Sequence, residues 1–179
     1  MKLTRLNLPN KLTLLRVVMI PAFLALYLGL PFGERASRLA ALAVFAAASF
    51  TDWLDGYIAR SQNLVTNFGK LMDPLADKML VAAAFVAMTQ TGELPAWAVI
   101  IIISREFLIT GFRMLALEQS IVIHASSLGK AKTVSQMALI IAALSTLIPP
   151  QAVYILMIAA VALTVASAVE YLWKNRGIV

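Results

Sequence analysis

Apolar residues in this chain gather into six long blocks, and the breaks between them are short. The blocks run from about Leu12 to Leu30, Ala36 to Ala59, Leu71 to Gln90, Leu94 to Leu117, Thr133 to Ile148 and Ala152 to Trp173. Spanning about 30 Å of hydrocarbon takes roughly 20 mostly apolar residues, a length the blocks reach or approach. Backbone groups in lipid must find partners within their own segment, so the blocks are predicted to be helices. Pro31-Phe32-Gly33, Thr91-Gly92-Glu93-Leu94-Pro95 and Pro149-Pro150 read as short turns, and Ser61 to Asn67 and Glu118 to Gly129 as longer connections. The expected architecture is an all-α polytopic membrane protein, a bundle of six transmembrane helices forming one domain over residues 1–179.

Composition supports lipid as the solvent. Apolar residues make up 61% of the chain and charged residues 13%, against about 45–50% and 25% in ordinary globular domains. So little charge could not cover a water-facing surface. The start, Met1-Lys2-Leu3-Thr4-Arg5, superficially resembles a signal peptide, but the apolar block that follows contains Arg16 and ends without a small-x-small cleavage site. It reads as a retained first membrane helix preceded by a short amphipathic segment over about residues 1–10. The chain has no cysteine, which excludes disulfides, Cys-ligated zinc and thiol catalysis.

The formal charge of +6 could suggest a nucleic-acid partner, but the positions of the basic residues give another account. Lys2, Arg5, Lys11 and Arg16 lie at the N-terminal end, and Arg60, Lys70 and Lys78 surround the second-to-third connection. Arg105, Arg113, Lys130 and Lys132 flank the fourth-to-fifth connection, and Lys174 and Arg176 stand at the C-terminal end. With six helices all of these fall on one side, leaving Arg35 and Arg38 opposite. That asymmetry is the positive-inside pattern of a cell-membrane protein with both termini cytoplasmic, and it requires no nucleic acid.

Of nine acidic residues, four fall within 26 positions: Asp52, Asp55, Asp73 and Asp77. Spacings of three and four place each pair on one helix face, and a short connection makes the two helices antiparallel neighbours. Pro74 fits if the third helix begins only a few residues earlier, because a first-turn proline removes no helical hydrogen bond. Four converging carboxylates repel unless protonated or neutralised, and an all-oxygen set suits magnesium, manganese or calcium better than zinc. Two other readings remain open on spacing alone. The acids could pair with Arg60, Lys70, Lys78 or Arg105, or they could line a cation path, since ionisable groups inside a membrane usually face a functional cavity.

The full stretch reads Asp52-Trp53-Leu54-Asp55-Gly56-Tyr57-Ile58-Ala59-Arg60, then eight residues, then Gly69-Lys70-Leu71-Met72-Asp73-Pro74-Leu75-Ala76-Asp77. It resembles the signature D-x2-D-G-x2-A-R-x8-G-x3-D-x3-D of the CDP-alcohol phosphotransferase family at all eight fixed positions. Leu8-Pro9-Asn10-Lys11-Leu12-Thr13-Leu14-Leu15-Arg16 is similar to the start of that family's first helix. Ser104-Arg105-Glu106-Phe107, Gly111-Phe112-Arg113 and Leu128-Gly129-Lys130-Ala131-Lys132-Thr133 resemble the members that form phosphatidylglycerophosphate. The resemblance covers about residues 7–137, and beyond it the last helix supplies only hydropathy.

The resemblance implies phosphatidyl transfer from CDP-diacylglycerol to sn-glycerol 3-phosphate, with CMP released. It implies two divalent ions, Mg2+ or Mn2+, on Asp52, Asp55, Asp73 and Asp77, with Asp77 also the general base. Donor binding would fall to Asn10, Thr13, Asp52, Asp55, Gly56, Ala59 and Arg60, with Arg16 a weaker candidate. The polar cavity would open to the cytoplasm, with acyl chains reaching it from membrane lipid. A homodimer is implied by the family alone.

Arg105, Arg113, Lys130 and Lys132 suggest a strongly anionic acceptor, because guanidinium and ammonium groups match phosphate oxygens, although positive-inside bias would itself put cations here. Glu106 reads as a partner that orients Arg105 or Arg113. His124 is the single histidine and reads as a loop residue, while Trp53, Trp97, Trp173 and Tyr171 read as interfacial anchors or packing groups. The alternatives are a synthase using inositol, inositol phosphate or serine, a cation transporter, and a catalytically silent scaffold.

Overall fold

A computed structural model describes the backbone of residues 8–29, 31–61, 67–118 and 126–176. Side chains are described over 14–29, 31–51, 75–76, 78–116 and 126–176. Among the described residues there are six helices and no strand. They are α1 (Leu8–Gly29), α2 (Glu34–Ser61), α3 (Asn67–Gln90), α4 (Ala96–Glu118), α5 (Ser127–Ser145) and α6 (Pro150–Lys174). The chain divides into two compact units, Met1–Ala87 and Met88–Val179.

In the first unit α1 and α2 form a hairpin. The turn needs a backbone that only glycine adopts easily: Gly33 has φ of 81°. The Phe32 N–H donates to the Ser37 hydroxyl at 3.0 Å, closing the turn onto the first turn of α2. Helical stripes explain the packing: Arg16, Ile20, Phe23 and Tyr27 are buried on α1, and Ser37, Ala41, Phe45 and Ala48 on α2. Phe23 stacks on Tyr27 with centroids 5.8 Å apart and meets Phe45 at 6.1 Å. The alanines let the α2 backbone come close to the large α1 residues.

The second unit begins at the end of α3. Gly92, with φ of 79°, ends that helix in a Schellman arrangement. The Glu93 N–H donates to the Met88 carbonyl at 2.9 Å and the Gly92 N–H to that of Thr89 at 3.1 Å. On the far side of α5, Thr146 takes the left-handed conformation, and Pro149-Pro150 start α6 with proline in its first turn, where no N–H is needed. α6 packs on both α4 and α5. Its buried positions are Val153, Met157, Ala160, Thr164, Ser167 and Tyr171, an alternation of four and three that keeps one stripe facing inward.

What α6 turns inward includes three hydroxyl-bearing residues, Thr164, Ser167 and Tyr171, while Ile155, Val165, Val169 and Trp173 on its other sides are exposed. That reverses the soluble pattern and fits a lipid-facing surface. Among the described residues α6 is the one helix that is long and apolar enough to cross a membrane by length and composition. The apolar helical stretches Leu14–Gly29 and Lys78–Gln90 are shorter.

Three helix starts lie four to six residues earlier than the sequence expectation, where less apolar residues extend a helix beyond its apolar block; α1 begins at Leu8 instead of near Leu12. α3 begins at Asn67, so Pro74 lies beyond the first turn and its missing N–H leaves the carbonyl four residues earlier without that helical partner. α5 begins at Ser127 instead of near Thr133. The Ser126 hydroxyl caps it, accepting from the Gly129 N–H at 3.1 Å, a cap worth about 1 kcal/mol. Lys130 and Lys132, expected to flank the connection, therefore sit on the first turns of α5 itself.

Candidate active site

The backbone puts Asp52, Asp55, Gly56, Ala59 and Arg60 on α2, Asp73 and Asp77 on α3, and Asn10 and Thr13 on α1. With about 3.6 residues per turn, Asp52 and Asp55 share one face of α2, and Asp73 and Asp77 one face of α3. The side chains of all these residues, and His124 altogether, lie outside the described residues. A donor set of four carboxylates at helical spacing has the chemistry of a hard divalent-ion site.

Close to the signature, Arg16 is completely buried, and its Nε donates to the Ala48 carbonyl on α2 at 3.3 Å. The Thr51 hydroxyl donates to the same carbonyl at 2.7 Å. This arginine ties α1 to α2 one turn before Asp52, a tethering role that the sequence did not suggest.

The acceptor candidates assemble on α4, α5 and α6. Glu106 accepts from Arg105 Nη1 at 3.4 Å and from Lys132 Nζ. Side-chain exposure is 12% for Arg105, 15% for Glu106 and 5% for Lys132, so solvent screens these charges weakly. Arg105 Nη2 donates to the Ser167 hydroxyl of α6 at 3.1 Å. Ser167 in turn donates to the Thr164 carbonyl at 2.9 Å, so its own backbone takes the proton and its oxygen faces the guanidinium. Thr164 repeats the device: it donates to the Ala160 carbonyl at 2.7 Å and accepts from Gln136 of α5 at 3.1 Å.

Arg113 completes the group by another route. Its guanidinium lies 5.5 Å above the Tyr171 ring, which Phe112 meets edge-on at 5.8 Å. Arg105 and Arg113 are close enough to repel each other, and Tyr171 is within electrostatic range of Arg105. Among the described residues the Arg105 Nε, the Arg113 Nε and the Tyr171 hydroxyl are buried without a hydrogen-bond partner. Two cations thus share one carboxylate, with Arg113 near Arg105 and donor groups to spare, an arrangement suited to an anion.

The expected set is therefore brought together in part. Arg105, Arg113 and Lys132 gather, whereas Lys130 is exposed, two residues and about 200° around the helix from Lys132. Glu106 orients Arg105 as expected and binds Lys132 as well. Gln136, Thr164, Ser167 and Tyr171 went unnoticed in the sequence as site residues. Their signal was the placement of Thr164, Ser167 and Tyr171 at spacings of three and four in an otherwise apolar block. Tyr171, expected at an interface or in packing, is buried beneath Arg113, while Trp97 and Trp173 are exposed.

The sequence model of CDP-alcohol phosphatidyltransferase matches residues 6–166. The chain belongs to this family. It is 45% identical to a Bacillus subtilis protein named CDP-diacylglycerol–glycerol-3-phosphate 3-phosphatidyltransferase, over 94% of this chain and 95% of that one. A Salmonella paratyphi A protein of the same name is 37% identical over 96% of each chain. A Rickettsia bellii protein, again of that name, is 39% identical over 73% of this chain and 71% of its own. The family match extends well into α6, the helix that the signature residues alone leave uncovered.

Proposed function

We propose that this chain transfers the phosphatidyl group of CDP-diacylglycerol to sn-glycerol 3-phosphate, forming phosphatidylglycerophosphate and CMP in phospholipid biosynthesis. The observation that carries this reading is that relatives matching nearly the whole chain are named for this one transfer. The cations on α4 and α5 support the choice of acceptor, because Arg105, Arg113 and Lys132 carry more positive charge than Glu106 offsets, and a phosphomonoester supplies further negative charge. Inositol and serine carry no phosphate for those cations.

In this reading Asp52, Asp55, Asp73 and Asp77 hold two divalent ions, Mg2+ or Mn2+, which would neutralise the donor diphosphate and the charge growing on departing CMP. Arg60 pairs with the donor diphosphate, Gly56 and Ala59 border the cytidine, and Asn10 and Thr13 contribute from α1. Asp77 takes the proton from the acceptor hydroxyl. That oxygen attacks the lipid-bearing phosphorus in line, and the bond from this phosphorus to the CMP phosphate oxygen breaks. Arg105, Arg113 and Lys132 hold the acceptor phosphate so that its hydroxyl is presented for attack. Lys130 adds positive field from the helix surface.

The same reading includes six membrane-spanning helices, a cytoplasm-facing cavity, both termini in the cytoplasm of a bacterial-type inner membrane, and a homodimer. Its support is the positive-inside asymmetry and the family resemblance. The test is purified protein with CDP-diacylglycerol, magnesium and each acceptor in turn. CMP release with glycerol 3-phosphate and a phosphatidylglycerophosphate product are expected, with activity lost in EDTA and restored by Mg2+ or Mn2+. Faster CMP release with inositol, inositol phosphate or serine would replace the acceptor. Metal flux into liposomes without CMP release would point to a transporter.

A further inference from the structure

α6 contributes more than an apolar wall. On its inward stripe, Tyr171 is 4% exposed, and its hydroxyl is buried without a hydrogen-bond partner among the described residues. A buried phenol normally finds a partner, because desolvating a hydroxyl without compensation is unfavourable. The Arg105 Nε and the Arg113 Nε are buried and unpaired in the same way. The Tyr171 ring lies against the Arg113 guanidinium, and Tyr171 is within electrostatic range of Arg105. Three donors without partners thus belong to neighbouring side chains, and two of these side chains carry positive charge that Glu106, shared with Lys132, does not balance.

We infer that the Tyr171 hydroxyl is a third donor to the acceptor's phosphate, beside Arg105 and Arg113, making Tyr171 a specificity-determining residue. This rests on the reading of the acceptor as a phosphomonoester. A phosphate offers three terminal oxygens and so can satisfy all three donors at once, whereas an uncharged polyol cannot offset the cations. The phenol adds what a further cation could not, a donor that does not increase the repulsion between Arg105 and Arg113. Its ring fixes Arg113 while its hydroxyl serves the ligand.

Tyr171→Phe separates these parts, since it keeps the ring against Arg113 and Phe112 and deletes only the oxygen. In purified protein we expect the KM for glycerol 3-phosphate to rise about tenfold, the loss typical of one hydrogen bond to a charged group. The KM for CDP-diacylglycerol should stay unchanged, and kcat at saturating acceptor should stay within about twofold. The inhibition constant of inorganic phosphate against glycerol 3-phosphate should rise in parallel. Thermal stability without acceptor should be equal or higher, because the variant removes a hydroxyl that is unsatisfied in the free protein. An unmoved acceptor KM would overturn the inference and leave the acceptor assignment standing. A lower melting temperature, or equal rises in both KM values, would also overturn it by showing a packing role. A wild-type chain that releases no CMP with glycerol 3-phosphate would instead overturn the acceptor reading, and this inference with it.

Discussion

Two regions of this molecule carry charge into apolar helices, and they do so in opposite ways. On α2 and α3 the charge is negative and local: four carboxylates at helical spacing, all within 26 positions. On α4, α5 and α6 it is positive and assembled from distant segments, with Glu106 reaching Lys132 26 positions away and Arg105 reaching Ser167 62 positions away. Helix geometry alone places each pair of carboxylates on one face of its own helix. The second arrangement exists only once three helices have packed. In the proposed reaction each region also lacks the charge that a ligand would bring: divalent ions in one case, a phosphate in the other.

Asp77→Asn presses this contrast hardest. If Asp77 is the base, turnover should fall by about 10²–10⁴-fold, with little change in the melting temperature of the metal-free protein. Steady-state CMP release checks it, and near-normal turnover would remove Asp77 from that role.

Glu106→Gln acts on the other region through stability. It leaves Lys132, whose side chain is 5% exposed, and Arg105 without their shared counterion. Loss of one partner of a buried pair costs about 3 kcal/mol, which thermal unfolding in detergent should show as a clear fall. An unchanged transition would mean that the pair contributes little.

A smaller effect is expected from Arg105→Lys, which keeps the charge but loses the planar fork that reaches both Glu106 and Ser167. The KM for glycerol 3-phosphate should rise about tenfold, with that for CDP-diacylglycerol unmoved. Parallel changes in both would blur the division between the regions. Lys130→Gln should do least: from an exposed position its field is screened, and the acceptor KM should shift by less than about twofold near physiological salt. A large shift would place Lys130 among the phosphate ligands.

The difference between the regions also explains what could be read before any coordinates. The turns at Gly33, Gly92 and Pro149-Pro150 were legible because glycine at positive φ and proline at a helix start are local backbone requirements. The carboxylate faces were legible because i, i+3 and i, i+4 spacing is itself local. The starts of α3 and α5 were not, since hydropathy marks where a helix is apolar, whereas the cap at Ser126 sets where α5 begins. Tyr171 was legible only as an interfacial anchor or a packing group, and its place under Arg113 was hidden for a related reason. Nothing near it in sequence distinguishes an interfacial tyrosine from one lying under a guanidinium of another helix.

By itself, then, the sequence determined the helical character of the chain, its charge asymmetry and the carboxylate signature, all set by periodicities shorter than two helical turns or by composition. The tertiary structure alone decided that Glu106 is shared by Arg105 and Lys132, that Lys130 stays apart, and that Ser167 and Tyr171 belong with the cations. Those are choices of which helix face meets which. They depend on how side chains far apart in the chain fit and satisfy one another once water has been removed, and no local spacing records that.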